Sequence, residues 1–240
     1  MLVTQGSERD ALVDQKLAVT LASIAGALNA AAFYSVGFFS ANMTGNVSVL
    51  SDHIATGAFA SAWLYFGIVV AFITGAALCG ALILEAERRD VAGSHAYAVL
   101  LEGLLLAPLA AVDMFAGGDL RAPVLAIWLA LLMGLQNAVV THLSSARVRT
   151  THVSGMATDL GIEIALAWHL RGTANPNAIA NFTRLRLHLS TIAAFLLGGV
   201  AGVLLYRMIG AWGFVIAACL LGLVGANGIR KAGLRHKSRM

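Results

Sequence analysis

The sequence predicts an all-α membrane protein, with six transmembrane helices plus two short re-entrant or half-membrane helices, built as two inverted three-helix repeats. Three observations carry that expectation. The chain is 59% hydrophobic and 12% charged, with a mean hydropathy of +0.80, whereas soluble domains carry roughly 25% charged residues and are about half apolar. The stretch Gly37 to Asn46 interrupts an apolar run with two glycines, two asparagines and two hydroxyls. The two halves of the chain also resemble each other. A soluble fold would need one enormous core and is excluded.

In chain order, Lys16 to Val36 reads as the first span, long enough for a bilayer core of about 30 Å. Asn29 is its deep polar side chain. The break follows. Irregular backbone at membrane depth is tolerated only where protein buries it or it lines a polar cavity. Thr44 to Gly57 then reads as a short helix capped by Thr44 or Asn42 and stopped by Gly57. Its 14 residues reach roughly 21 Å, too little to cross.

Phe59 to Leu84 is the second span, with small residues spaced by four for tight packing. Glu85 to Asp90 forms a polar loop, and Ala96 to Ala116 is the third span, containing Glu102, Pro108 and Asp113. Pro123 opens the fourth span, which runs to about Leu143. A second polar interruption, Ser144 to Gly155, leads into a short amphipathic helix from Met156 to Leu170. Arg171 to Arg186, with Asn175-Pro176-Asn177, reads as a polar loop. Leu187 to Met208 and Trp212 to Ile229 are the fifth and sixth spans, and 230–240 is a basic tail. The chain is therefore one polytopic membrane domain over 1–240.

The repeat is visible in the letters. Gly26-Ala-Leu-Asn29-Ala30 matches Gly134-Leu-Gln-Asn137-Ala138, and Met43-Thr44-Gly45 matches Val153-Ser154-Gly155. The first repeat spans about 16–116 and the second about 123–229. With three crossings per half, fourteen of the sixteen Lys and Arg residues fall on one side, and only Arg121 and Arg207 on the other. Excess positive charge marks the cytoplasmic side, so both termini are expected there. The formal net charge of +4 is thus a membrane-anchoring signal, not a nucleic-acid one. An odd number of crossings per half makes the repeats inverted, the common plan of secondary transporters whose sites lie at interrupted helices.

Cys79 and Cys219 fall inside apolar runs and behave as small hydrophobes. The N-terminus lacks a basic signal-peptide region, and its apolar run is too long for a signal core, so the first helix is read as retained.

The stretch Asn29-Ala-x-x-Phe33-x-x-x-Gly37-x-Phe39-x-x-x-Met43-Thr44-Gly45-Asn46 resembles the signature of the YoaK-like family, small bacterial integral membrane proteins of unknown function. Met133 to Ala138, followed by Arg149 to Gly155, is similar to that family's other motif, with Ser154 where Thr is usual and Met156 where a second Thr is common. The resemblance covers Lys16 to Ile229. It implies a membrane fold in the bacterial inner membrane and supplies no substrate.

A helix starting within the membrane presents unpaired N–H groups and a positive dipole end. Thr44, Gly45, Asn46, Ser154 and Gly155 would therefore converge as an anion or carboxylate site, or simply cap their own helices. Asn29 and Asn137 either line that cavity or pair across a helix interface. Acidic groups in spans are costly and often functional. Glu102, the Asp52-His53 pair, and Asp159 with Glu163 one turn apart are the candidates for proton coupling. His142 and His152 flank the second break without the spacing of a metal site. No nucleophile–base set, phosphate loop or hydrolase motif is present, so neither enzyme activity, cofactor nor metal is expected. The leading expectation is a transporter or permease for a small polar or anionic metabolite, with the bilayer and a solute as partners and a homodimer compatible with the glycine-lined faces. The alternative is a non-transporting scaffold, sensor or partner subunit.

Overall fold

The computed structural model describes residues 1–2, 10–171 and 177–237, with side chains to residue 234. Among these residues there are eight helices and no strands: α1 (Ala11–Val36), α2 (Met43–Ala55), α3 (Phe59–Arg88), α4 (Ser94–Phe115), α5 (Arg121–Ser144), α6 (Val153–His169), α7 (Asn177–Ile209) and α8 (Trp212–Lys237). Six of them, all but α2 and α6, are long and apolar enough to cross a bilayer. This is a multi-pass helical membrane protein.

The boundaries depart from expectation mainly where polar residues continue a helix. Residues 85–88 extend α3 and 177–186 belong to α7, although both read as loop. The α7 extension holds because α6 supplies partners: Asn181 Nδ2 donates to the Glu163 carbonyl (2.9 Å), and His188 Nδ1 lies 3.1 Å from Glu163 Oε2. Asn175 and Pro176 of the expected loop lie outside the described residues. The basic tail likewise starts as helix, because α8 continues past Ile229 and buries Ala232 against Gly93. Arg239 at its end, and Arg9 near the N-terminus, lie outside the described residues.

The dominant packing pairs are α1 with α7, α3 with α5 and α4 with α8, while α2 rides on α3 and α6 on α7. Backbones touch in the first two pairs because glycine removes the side chain at the crossing. A Cβ on Gly26 would stand 2.1 Å from the Phe195 carbonyl oxygen, and one on Gly198 2.1 Å from that of Ser23. The other pair repeats this pattern: Gly134 meets the Phe72 carbonyl and Gly75 that of Leu131, each at 1.9 Å.

Helix directions follow from the order of contacts. Gln15 bonds Ser190, Ser23 faces Gly198, Ala27 faces Gly202 and Tyr34 meets Tyr206, so α1 and α7 run parallel. Gly67 to Ile127 and Gly75 to Leu131 make α3 and α5 parallel too. Gly93 packs on Ala232, Gly225 on Ala96 and Leu100, and Gly103 on Ala218, so α4 and α8 are antiparallel. Leu2 joins this last pair, packing against Gly228 of α8.

Ion pairs tie the ends of the bundle. Asp113, buried near the end of α4, receives Arg121 Nη2 (2.5 Å) and the Tyr206 hydroxyl (2.8 Å). At the terminal end, Arg147 Nε donates to the buried Asp14 of α1 (3.0 Å).

Candidate functional site

Both interruptions fold back into the bundle, and an asparagine holds each one there. At the first, Asn29 Oδ1 accepts from the Ala41 amide (2.9 Å) and stands 3.5 Å from Ser40 Oγ. Asn29 lies seven residues before the end of α1, so the chain returns about 10 Å along the helix it has just left. At the second, Asn137 Oδ1 accepts from Thr151 Oγ1 (2.8 Å), while Asn137 Nδ2 donates to the Met133 carbonyl (2.8 Å). Neither asparagine pairs with the other across a helix interface. Each anchors its own break.

The two returning segments line one cavity of about 800 Å³ between α1, α7 and the start of α6. Asn29, Asn42, Thr151 and Ser154 contribute its polar surface, and Phe39, Phe195 and several aliphatic side chains of α7 its walls. Leu196, Val200 and Leu204 lie on its α7 side and are also exposed on the outside of the bundle, so the cavity opens sideways.

Of the residues expected to converge, Asn29 and Ser154 line the cavity, while Thr44, Gly45, Asn46, Asn137 and Gly155 are not among its lining residues. The reason lies in α2. Asn42 is its N-cap and accepts from the Gly45 amide (3.1 Å), and the buried Asn46 turns its Nδ2 back to the Phe39 carbonyl (3.0 Å). Thr44 is exposed, its carbonyl taken by Ser48 Oγ. The first helix start is thus closed on itself.

The second start is different. Helix α6 begins at Val153, ahead of the expected Met156, which puts Ser154 and Gly155 in its first turn. No side chain among the described residues caps it. Arg149 Nη1 lies 3.6 Å from where a Cβ on Gly155 would stand. His152, next to it, is held below the ordinary histidine pKa, first by burial and then by the Arg149 charge. Amide donors, a positive dipole end and a guanidinium together favour an anion.

A family model extends over this whole arrangement, matching residues 17–226. The chain belongs to the DUF1275 family, proteins of unknown function. No curated protein and no solved structure matches it. The DUF1275 match contains both breaks, their asparagines and the cavity, in keeping with the extent read from the sequence motifs.

Within the DUF1275 region the acidic candidates stand apart from the cavity. Glu102 is fully buried on α4, and neither carboxylate oxygen has a hydrogen-bond partner among the described residues. Gln136 of α5 is buried in the same condition. Asp52 is exposed, and the His53 ring packs 5.4 Å from Tyr65. Asp159 and Glu163 do share a small pocket, but with Asn181, Arg184 and His188 of α7. Sequence reasoning passed over Thr151 and Arg149 as site residues, although both stand in the second motif. Threonine and arginine in a polar stretch read as loop until the fold sets Thr151 in the cavity wall and Arg149 beside Gly155.

Proposed function

We propose that the protein is a secondary transporter or permease for a small solute with an anionic or polar head and an apolar body. The observation that carries this reading is that both helix interruptions line one cavity against the C-terminal half of α1. The polar edge supplied by Asn29, Thr151, Ser154 and the uncapped start of α6 suits the head, and the aromatic and aliphatic walls suit the body. Glu102 is the proton-coupling candidate, because a buried carboxyl group without a partner is costly to keep and such groups within spans are often functional.

The packing supports an inverted duplication. Every close contact of α1 with α7 that Gly26 and Gly198 make has its counterpart between α5 and α3. Around α4 and α8, Gly103 and Gly225 play equivalent parts. Directions support six crossings: parallel α1–α7 and α3–α5 with antiparallel α4–α8 fit a chain in which α2 and α6 re-enter. If both crossed, α4 and α8 would be parallel. If one crossed, α1 and α7 would be antiparallel. The charge distribution supports cytoplasmic termini, and the family resemblance supports a bacterial inner membrane. Alternating access would rock the repeats around the cavity.

A second reading, a non-transporting scaffold, sensor or partner subunit, is favoured by the first break, whose polar groups satisfy one another. A thermal-shift screen of the purified chain against organic anions of graded apolar length, followed by flux in proteoliposomes, separates the two. Transport predicts stabilising ligands whose shift and flux fall in Ser154→Phe, which fills the cavity edge, and in Arg149→Ala. The absence of any shift across the panel, with no solute flux, would sink the transporter reading.

A further inference from the structure

Away from the cavity, at the end of the bundle where α3 and α5 end and α4 begins, three helices bring two imidazoles and a carboxylate together. His95 sits in the first turn of α4, His142 in the last turn of α5 and Glu87 in the last turn of α3. We propose that Glu87, His95 and His142 form a binding site for a divalent transition cation of the zinc class.

The geometry is that of a site. His95 Nε2 and His142 Nδ1 are 3.1 Å apart. Two ring nitrogens bound at about 2.0–2.1 Å to one tetrahedral zinc stand roughly 3.3 Å apart. The two nitrogens and a Glu87 carboxylate oxygen all lie within 4.8 Å of one another, so small side-chain rotations bring them to a common ion. His95 is buried and held in orientation, with Nδ1 3.2 Å from Ser94 Oγ. Donation from that Nδ1–H to the serine leaves Nε2 as the lone-pair atom, the arrangement in which metal-binding histidines are usually fixed.

His142 is exposed, so its proton can move through solvent to Nε2 and free Nδ1 for the ion, with no net proton gained or lost. Glu87 is left to serve because Arg88 and Arg89 both pair with Glu85, at 3.2 and 2.6 Å. The C-terminal ends of α3 and α5 favour a cation, and the start of α4 opposes it. Two imidazoles with one carboxylate select zinc or its first-row neighbours over calcium or magnesium. The ion would join α4 to the α3–α5 pair, leaving a fourth position for water.

Calorimetric titration of the full chain, tag removed and metal stripped in detergent, with zinc chloride tests this. One zinc per chain is expected, and His142→Ala and Glu87→Gln should each weaken binding at least about tenfold. Both positions are exposed, so folding should persist, as circular dichroism would show. His169→Ala, on α6, should leave binding unchanged. Cobalt(II) in place of zinc should give the intense visible absorption of a four-coordinate site. No binding by the unaltered chain, or equal binding by either variant, overturns the three-residue site.

Discussion

The two interruptions carry similar residues but differ in state. In the first, the asparagines around the helix start turn on the break's own backbone: Asn42 caps Gly45, Asn46 reaches Phe39, and Asn29 takes the Ala41 amide. In the second, Asn137 takes only a hydroxyl, that of Thr151, the start of α6 lacks a side-chain cap, and the buried Thr150 hydroxyl has no partner among the described residues. The contrast teaches that one plan can supply both a rigid wall and an open donor surface. Which one results turns on a residue at the cap: asparagine at 42 closes the first helix, and histidine at 152 leaves the second uncapped.

The comparison breaks most easily at the helix pairs that hold the two breaks up. Gly26→Ala and Gly134→Ala each drive a methyl into a facing backbone carbonyl, where no side chain can swing away. Overpacking of this kind costs about 1–3 kcal/mol, and the two losses should be alike if the pairs are equivalent. Thermal unfolding in detergent measures them; a loss in one variant alone would break the equivalence.

A smaller and unequal effect is expected at the asparagines. Asn29→Ala strands a buried backbone N–H, which costs about 1–3 kcal/mol. Asn137→Ala frees a half-exposed threonine hydroxyl that water can satisfy, so its loss should be nearer the ordinary hydrogen-bond value of about 1 kcal/mol. Equal destabilisation would show that both breaks are equally closed.

The smallest difference lies at the glycines of the two helix starts. A Cβ on Gly45 would stand 2.4 Å from Asn42 Nδ2, whereas on Gly155 its nearest neighbour is Arg149 Nη1 at 3.6 Å. Gly45→Ala should displace the cap and lose about 1 kcal/mol, and Gly155→Ala should change stability little. If the anion reading is right, Gly155→Ala should still weaken an anionic ligand, seen as a smaller thermal shift.

Much of this was legible in the sequence, for identifiable reasons. Six spans are written as long apolar runs, because a lipid solvent forces every crossing segment to be helical and apolar. The breaks announced themselves because Gly, Asn and Thr have no cheap place at that depth. Hydropathy was a poor guide where helices leave the bilayer, so 85–88 and 177–186 read as loop. Once outside, charged residues such as Glu87 and Arg184 are solvated by water and cost a helix nothing.

What the sequence determined by itself is the membrane class, the six spans and the two interruptions, because these depend on local composition against the length scale of a bilayer. The tertiary structure alone decided what those interruptions do: that Asn29 and Asn137 each hold their own break, that Asn42 shuts the first helix start, and that both segments reach one cavity. It also gathered Glu87, His95 and His142 from three helices. Such meetings depend on helix direction and on glycine contacts between α1 and α7 and between α3 and α5, which bring together residues far apart in the chain, and no local pattern encodes them.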